Sequence, residues 1–362
     1  VPQVRHTDDS RMRLAVASGK GGTGKTTVAV SMALSLEAAE PLYIDCDVEE
    51  PNAALFLRPT LAERREVGQY IPEVNADLCV HCGRCAEVCR FHAIAVIGQD
   101  VLVFPELCHG CGSCTRNCPT GAISEILHVM GALERGPAGP ITFAQGILNV
   151  GEAMAVPVIR QLKRWAGTDD EGTAPTGLSE GGSRDGSDGG GDVRGSSVGP
   201  GRPGSRPGRA GGRPGRAGGR PVILDAPPGT SCPVVETLRG ADAVLLVTEP
   251  TPFGLHDLRI AVQVARDELE LPVAVIINRD GVGDAEVEAF CAAEDIPILL
   301  RIPLRRDIAE GIAAGQALVE IDPAYRSRFV EVYHAMEALA QHPVSRAALL
   351  TTEPGAPKGG LL

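Results

Sequence analysis

The chain has 362 residues, more than one hydrophobic core ordinarily organises, so two domains are expected. Its formal net charge of −12 excludes a nucleic-acid surface spread over the whole molecule, and no run of about 18 apolar residues exists to cross a bilayer. A cytoplasmic protein with neither a membrane nor a nucleic-acid partner is the expectation.

Residues 1–11 are polar and read as a frayed tail, and residues 14–17 read as a short buried strand. The stretch that follows, Ser18-Gly19-Lys20-Gly21-Gly22-Thr23-Gly24-Lys25-Thr26-Thr27, fits the Walker A pattern G-x-x-x-x-G-K-T over residues 19–26. Glycines permit a tight loop whose backbone N–H groups point at phosphate oxygens, where a Cβ would obstruct them. Lys25 is then placed to reach the β- and γ-phosphates of ATP or ADP, and Thr26 to ligate Mg²⁺. The apolar spacing over residues 26–37 predicts a helix, whose N-terminus favours phosphate. With Lys20 inside the loop, the stretch resembles the deviant Walker A of the MinD/ParA/Mrp and nitrogenase iron protein class. The resemblance implies that Lys20 reaches the nucleotide across an interface, hence a homodimer with ATP between the subunits.

A second strand over residues 42–44 runs into Asp45-Cys46-Asp47, which places carboxylates where Mg²⁺ and the attacking water would sit. Acidic residues merely leaving a strand are the plainer reading. The pair resembles the D-x-D switch I of the MinD class, which makes Asp47 the water-orienting residue and Asp45 a magnesium-side residue.

From residue 77 the composition changes. Cys79, Cys82, Cys85 and Cys89 have the spacing C-x-x-C-x-x-C-x-x-x-C, and Cys108, Cys111, Cys114 and Cys118 repeat it 29 positions later. Eight of eleven cysteines thus fall in two tight runs, a distribution that points to metal and away from disulfide staples. The spacing resembles that of bacterial two-cluster ferredoxins, in which the fourth cysteine of each run ligates the other cluster. The resemblance implies one 4Fe-4S cluster on Cys79, Cys82, Cys85 and Cys118, and a second on Cys108, Cys111, Cys114 and Cys89. Two zinc sites are the rival reading. Between the runs a hairpin is predicted around Gly98-Gln99-Asp100.

Residues 148–151 and the apolar residues from Met154 to Trp165 suggest a strand, a turn and a helix. Residues 168–220 hold 18 of the 44 glycines and almost no large apolar side chains, so they cannot bury a core and read as a disordered linker. Residues 222–225 then read as a buried strand ending in a Walker B carboxylate, Asp225, that assists Mg²⁺. Ala226-Pro227-Pro228-Gly229-Thr230 resembles the class's switch II, with Gly229 as the γ-phosphate sensor. Strands over 244–248, 273–278 and 296–302 and helices over 254–267, 307–314 and 323–340 continue the alternation. In the resemblance, Asn278 reads adenine. The segments around Asn149 and Thr248 resemble a MinD-superfamily subgroup that carries an inserted ferredoxin domain.

The expected fold is therefore an α/β P-loop NTPase with a mostly parallel sheet and an inserted α+β ferredoxin. Residues 12–76, 126–167 and 221–345 form the ATPase, 77–125 the insert and 168–220 the linker. The expected function is ATP hydrolysis coupled to electron transfer through two 4Fe-4S clusters, with a redox partner protein or an iron-sulfur acceptor. A cluster assembly or carrier ATPase and a redox-sensing regulatory module are the alternatives.

Overall fold

Leu14, Ala15, Val16 and Ala17 are all buried, as a strand covered on both faces requires, and they form β1 (Arg13–Ala17). The computed structural model describes residues 12–168 and 219–341, so the expected tail, linker and loose C-terminus lie outside the described residues. After β1 come α1 (Lys25–Ser35), β2 (Leu42–Asp45), α2 (Ala54–Leu57), β3 (Glu63–Val74), α3 (Arg84–Val88), β4 (Ile94–Ile97) and β5 (Asp100–Val103). They are followed by α4 (Ser113–Arg116), β6 (Ile123–Ala138), β7 (Ile141–Leu148) and α5 (Val156–Ala166). The second half contains β8 (Val222–Asp225), α6 (Cys232–Leu238), β9 (Ala243–Thr248), α7 (Pro252–Val262), β10 (Val273–Asp280), α8 (Glu286–Ala293) and β11 (Ile298–Pro303). The last helices are α9 (Arg306–Ala313), α10 (Leu318–Ile321) and α11 (Tyr325–Gln341).

Nine strands form one sheet in the order β11-β10-β9-β1-β8-β2-β7-β6-β3. Every pairing from β11 to β7 is parallel, with β1 at the middle, and only β6, antiparallel to both β7 and β3, runs against the rest. Alternate residues of each parallel strand feed two cores. Leu14, Val16 and Tyr43 meet α1 and α11, whereas Ala15, Ile44 and Leu224 meet α5, α6 and α7. The loops leaving β1, β2, β8 and β9 converge at the carboxyl edge, where parallel α/β sheets place their ligands.

Three strands depart from expectation. The predicted strand over 148–151 lies earlier, as β7, which ends at Leu148; Asn149 N–H still bonds the Met130 carbonyl at 2.8 Å, and Gly151, with φ 93°, then turns the chain away. The ribbon of β3 and β6 was not predicted at all. Its outer strand carries charges, Pro72 and Gly68, which break any apolar pattern, yet twelve residue pairs join it to β6. Register shifts between Val67 and Gly68, and a Cβ on Gly68 would run into the His128 carbonyl, so this bulge requires glycine. Residues 75–122 hang from the far end of the ribbon, with the predicted hairpin present as β4 and β5.

Candidate functional site

The loop from β1 to α1 turns at Gly24, which has φ 89° and leaves room only for the amide of Asn278 beside it. Lys25 is buried and its Nζ donates to Asp225 Oδ1 at 2.6 Å and to Thr26 Oγ1 at 3.3 Å. Tyr43 Oη donates to the other oxygen, Asp225 Oδ2, at 2.8 Å. Burial works to lower the Lys25 pKa, but the charge and hydrogen bond of Asp225 outweigh it, so the ammonium is held. Thr23 Oγ1 is buried without a hydrogen-bond partner among the described residues, and Thr27 is buried on the first turn of α1. An orphaned hydroxyl within a cradle of glycines suits a polyoxyanion such as a nucleotide phosphate.

Asp45 is buried at the end of β2, and its carboxylate accepts the backbone N–H groups of Asp47, Asn52 and Ala53 at 3.1 Å each. It therefore shapes the loop that carries Asp47. Burial and the neighbouring Asp225 charge push Asp45 up to about 7, and burial pushes Asp47 up to about 6 against the pull of Lys25. A divalent cation among Asp45, Asp47, Asp225 and Thr26 would relieve this crowding of carboxylates.

Three predicted residues make contacts that the sequence did not anticipate. Lys20 lies 3.6 Å from Glu249 Oε2, inside its own subunit. Gly229, with φ 92°, donates its N–H to the Ser18 carbonyl at 3.0 Å, tying the switch II segment to the P-loop. Asn278 donates its amide to the Thr23 carbonyl at 2.7 Å and accepts from Arg279 N–H at 2.9 Å, so its polar ends brace the loop. Sequence reasoning missed Tyr43, Glu249 and Arg279. Arg279 bonds Glu249 Oε1 at 2.5 Å and the Gly22 carbonyl at 3.1 Å. Adjacency gave a signal in two cases, since Arg279 follows Asn278 and Tyr43 precedes Asp45 by two.

In the insert, the eight cysteines of the two runs line two separate cavities. Cys79, Cys82, Cys85 and Cys118 line one, with Val80, Pro119 and Thr120. Cys89, Cys108, Cys111 and Cys114 line the other, with Phe91 and His109. Each cavity thus draws three cysteines from one run and the fourth from the other. Backbone N–H groups already face thiols, from Ala93 to Cys89 Sγ at 3.3 Å and from Gly110 to Cys108 Sγ at 3.4 Å. Among the described residues no three His, Cys, Asp or Glu side chains converge as a single-ion site requires. Four soft donors spaced around the walls of a cavity, with N–H groups aimed at sulfur, fit a polynuclear group. Of the other cysteines, Cys46 and Cys291 are buried, as small apolar residues are, and Cys232 is exposed.

A glycine-rich loop between a central parallel strand and its helix, with a buried lysine and carboxylates at the sheet's carboxyl edge, defines a P-loop nucleotide-binding α/β protein. The CobQ/CobB/MinD/ParA nucleotide binding domain matches residues 14–319, and the chain belongs to that family. It is 30% identical over 249 residues to the uncharacterized protein MJ0578 of Methanocaldococcus jannaschii, covering 68% of this chain and 70% of that one. It is 27% identical over 286 residues to the uncharacterized protein MJ0579 of the same organism, covering 76% and 83%. Among solved structures, the cell division ATPase MinD of Pyrococcus furiosus aligns over 91% of this chain and 99% of its own at 17% identity, with a TM-score of 0.47. No helix among the described residues is long and apolar enough to cross a membrane.

Proposed function

We propose that this chain hydrolyses ATP and couples its nucleotide state to electron transfer through two 4Fe-4S clusters in the insert. The observation that carries the reading is the crosswise sorting of eight cysteines into two four-cysteine cavities on a domain joined to a P-loop core. On the nucleotide side, Gly19, Gly21, Gly22, Thr23 and Gly24 cradle phosphate, and Lys25 exchanges its Asp225 contact for the β- and γ-oxygens. Thr26, Asp45 and Asp225 would hold Mg²⁺ beside the phosphates, and Asp47, less buried than Asp45, would orient the water. Lys20 leaves Glu249 to reach nucleotide in a second copy of the chain, and Gly229 exchanges Ser18 for the γ-phosphate. Asn278, whose amide braces Thr23, faces the base side.

When bound, the clusters supply one-electron centres whose potentials respond to hydrogen bonds and solvent around the sulfurs. Cys79, Cys82, Cys85 and Cys118 would hold one, and Cys108, Cys111, Cys114 and Cys89 the other. Because each site takes a ligand from both runs, losing a cluster would loosen both, which favours resident redox centres over cargo. The electrons would pass to a partner redox protein.

Anaerobic purification followed by iron and sulfide analysis, electron paramagnetic resonance of the reduced protein and an ATPase assay tests the reading. About eight iron and eight sulfide per chain are expected, with reduced 4Fe-4S spectra and Lys25-dependent hydrolysis. Two zinc ions without sulfide would overturn the cluster assignment.

A further inference from the structure

The two cysteine cavities are alike in their thiols and unlike in their attachment. The Cys79/Cys82/Cys85/Cys118 cavity touches β3 only through Val74, the strand's last residue. The Cys89/Cys108/Cys111/Cys114 cavity is seated on the body of that strand, with Tyr70 and Pro72 in its lining. Gln69 Nε2 donates to the Cys108 carbonyl at 2.6 Å, and a Cβ on Gly110 would come within 3.1 Å of the Tyr70 carbonyl. The Phe91 and His109 rings, stacked with centroids 3.8 Å apart, wall this cavity. The 29-residue repeat places Thr120 and Val80 at the matching positions of the other cavity, where no ring stack can form.

From Gln69 a set of contacts leads to the helix that follows the switch II segment. Gly68, which faces the bulge formed by the unpaired Met130 of β6, accepts Gln161 Nε2 of α5 on its carbonyl at 2.9 Å. Next to Gln161, Arg160 makes a two-pronged ion pair with Glu236 of α6, at 2.9 and 3.0 Å. Helix α6 begins at Cys232, three residues beyond Gly229. Beside this path lies a cleft of about 1490 Å³. Its walls include Glu49 from the Asp47 loop, Cys232 and Glu236 from α6, and Phe91, His109 and Cys111 from the insert. Cys79, Cys82, Cys85 and Cys118 are not among its lining residues. Both switch segments therefore end in the cleft wall, and only one cysteine site faces them.

We propose that Arg160, Gln161 and Gln69 are positioning residues that transmit nucleotide state to the Cys89/Cys108/Cys111/Cys114 site alone, leaving the other site as an unresponsive reference. This rests on the cluster reading above. Movement of α6 with the switch pulls α5 through Glu236 and Arg160, and Gln161 passes it to the bulge, where a break in register lets β3 flex. Gln69, through the Cys108 carbonyl, then shifts the backbone that aims the Gly110 N–H at Cys108 Sγ, and with it the solvent reaching the site through the cleft; hydrogen bonding at sulfur and solvent exposure are two factors that set a cluster's potential.

The test is a redox titration of the full chain carrying both clusters, followed by electron paramagnetic resonance, with Mg-ADP and then with Mg and a non-hydrolysable ATP analogue. One cluster should shift its reduction equilibrium about tenfold, some 59 mV for one electron, and the other should not move. Phe91→Leu should alter the spectrum of the moving cluster only, which assigns it. Gln69→Leu, Gln69→Glu and Arg160→Met should each abolish the shift while iron content and ATP hydrolysis stay unchanged; Gln69→Glu keeps the side chain's length and cannot donate when ionised. Equal shifts in both clusters, no shift, or a shift that survives Gln69→Glu would overturn the relay and leave the cluster reading intact. A preparation that takes up no iron and sulfide would overturn both.

Discussion

The nucleotide site and the cysteine-rich insert both hold polar groups in fixed places, and they do so by opposite means. Around the P-loop, Lys25, Asp225, Asp45 and Tyr43 are all under a tenth exposed, and each meets a partner from elsewhere in the core. The strands that end at this edge position them. The insert has only two small groups of buried residues, Ile71 with Ala93 and Cys108, and Ile94 with Cys114 and Ile123. Leu78, Val80 and Ile97 are each more than half exposed. Such a domain buries little apolar surface against its chain entropy, and under the cluster proposal the ligated thiols would supply the difference.

That contrast can be broken most sharply by removing the ligands. Anaerobic chelation should unfold the insert outright, so that limited proteolysis cuts within residues 75–122 while nucleotide binding persists. Resistance to protease after complete loss of iron would mean that the insert has a core of its own. The converse change, Lys25→Ala, should reduce ATP hydrolysis by roughly 10²–10³-fold, the scale of losing one key charge-stabilising group, with iron content unchanged. A parallel fall in iron would tie the two regions into a single folding unit.

A smaller effect probes the joint between them. Burial would raise the Glu236 pKa, but the hydrogen bond and charge of Arg160, joined by the charges of Lys163 and Arg239, together outweigh it and hold the carboxyl below its usual 4.5. A depressed carboxyl contributes stability that is present above the unfolded-state value and is lost as the pH falls through the folded one. Glu236→Gln should therefore cost about 1 kcal/mol at pH 7, since solvent screens the partly exposed Arg160, and the difference should close in denaturant titrations as the pH falls below the ordinary carboxyl value and through the lowered folded one. Smallest of all is Glu249→Gln. Freeing Lys20 from its own subunit should strengthen nucleotide-dependent dimerisation a few-fold in sedimentation experiments, and unchanged dimerisation would mean that the contact does not restrain Lys20.

The parallel core was legible because its strands are short apolar runs bounded by glycine, proline or carboxylate, as residues 222–229 illustrate. The cysteine runs were legible because ligand spacing is local. What escaped was information held between distant segments. The β3–β6 ribbon is held largely by pairing, and its outer strand buries only Val67, Ile71 and Pro72 among twelve residues, so it gives no periodic signal. The partners of Lys20, Gly229 and Asn278 lie 229, 211 and 255 positions away at Glu249, Ser18 and Thr23, and no local pattern encodes such contacts. Gln69 and Gln161 look like ordinary surface glutamines until the fold brings them to Cys108 and Gly68.

Energetic coupling between two sites is reciprocal: if nucleotide shifts a cluster's reduction equilibrium, reduction must shift nucleotide affinity by the same factor. The most direct measurement is the pair of dissociation constants for Mg-ADP and for a non-hydrolysable ATP analogue with Mg, taken on the oxidised and on the reduced protein by anaerobic calorimetry. Coupling of the size proposed here predicts that the ratio of the two affinities changes about tenfold with redox state. An unchanged ratio would contradict the central claim, leaving an ATPase and an iron-sulfur domain that share a chain without sharing energy.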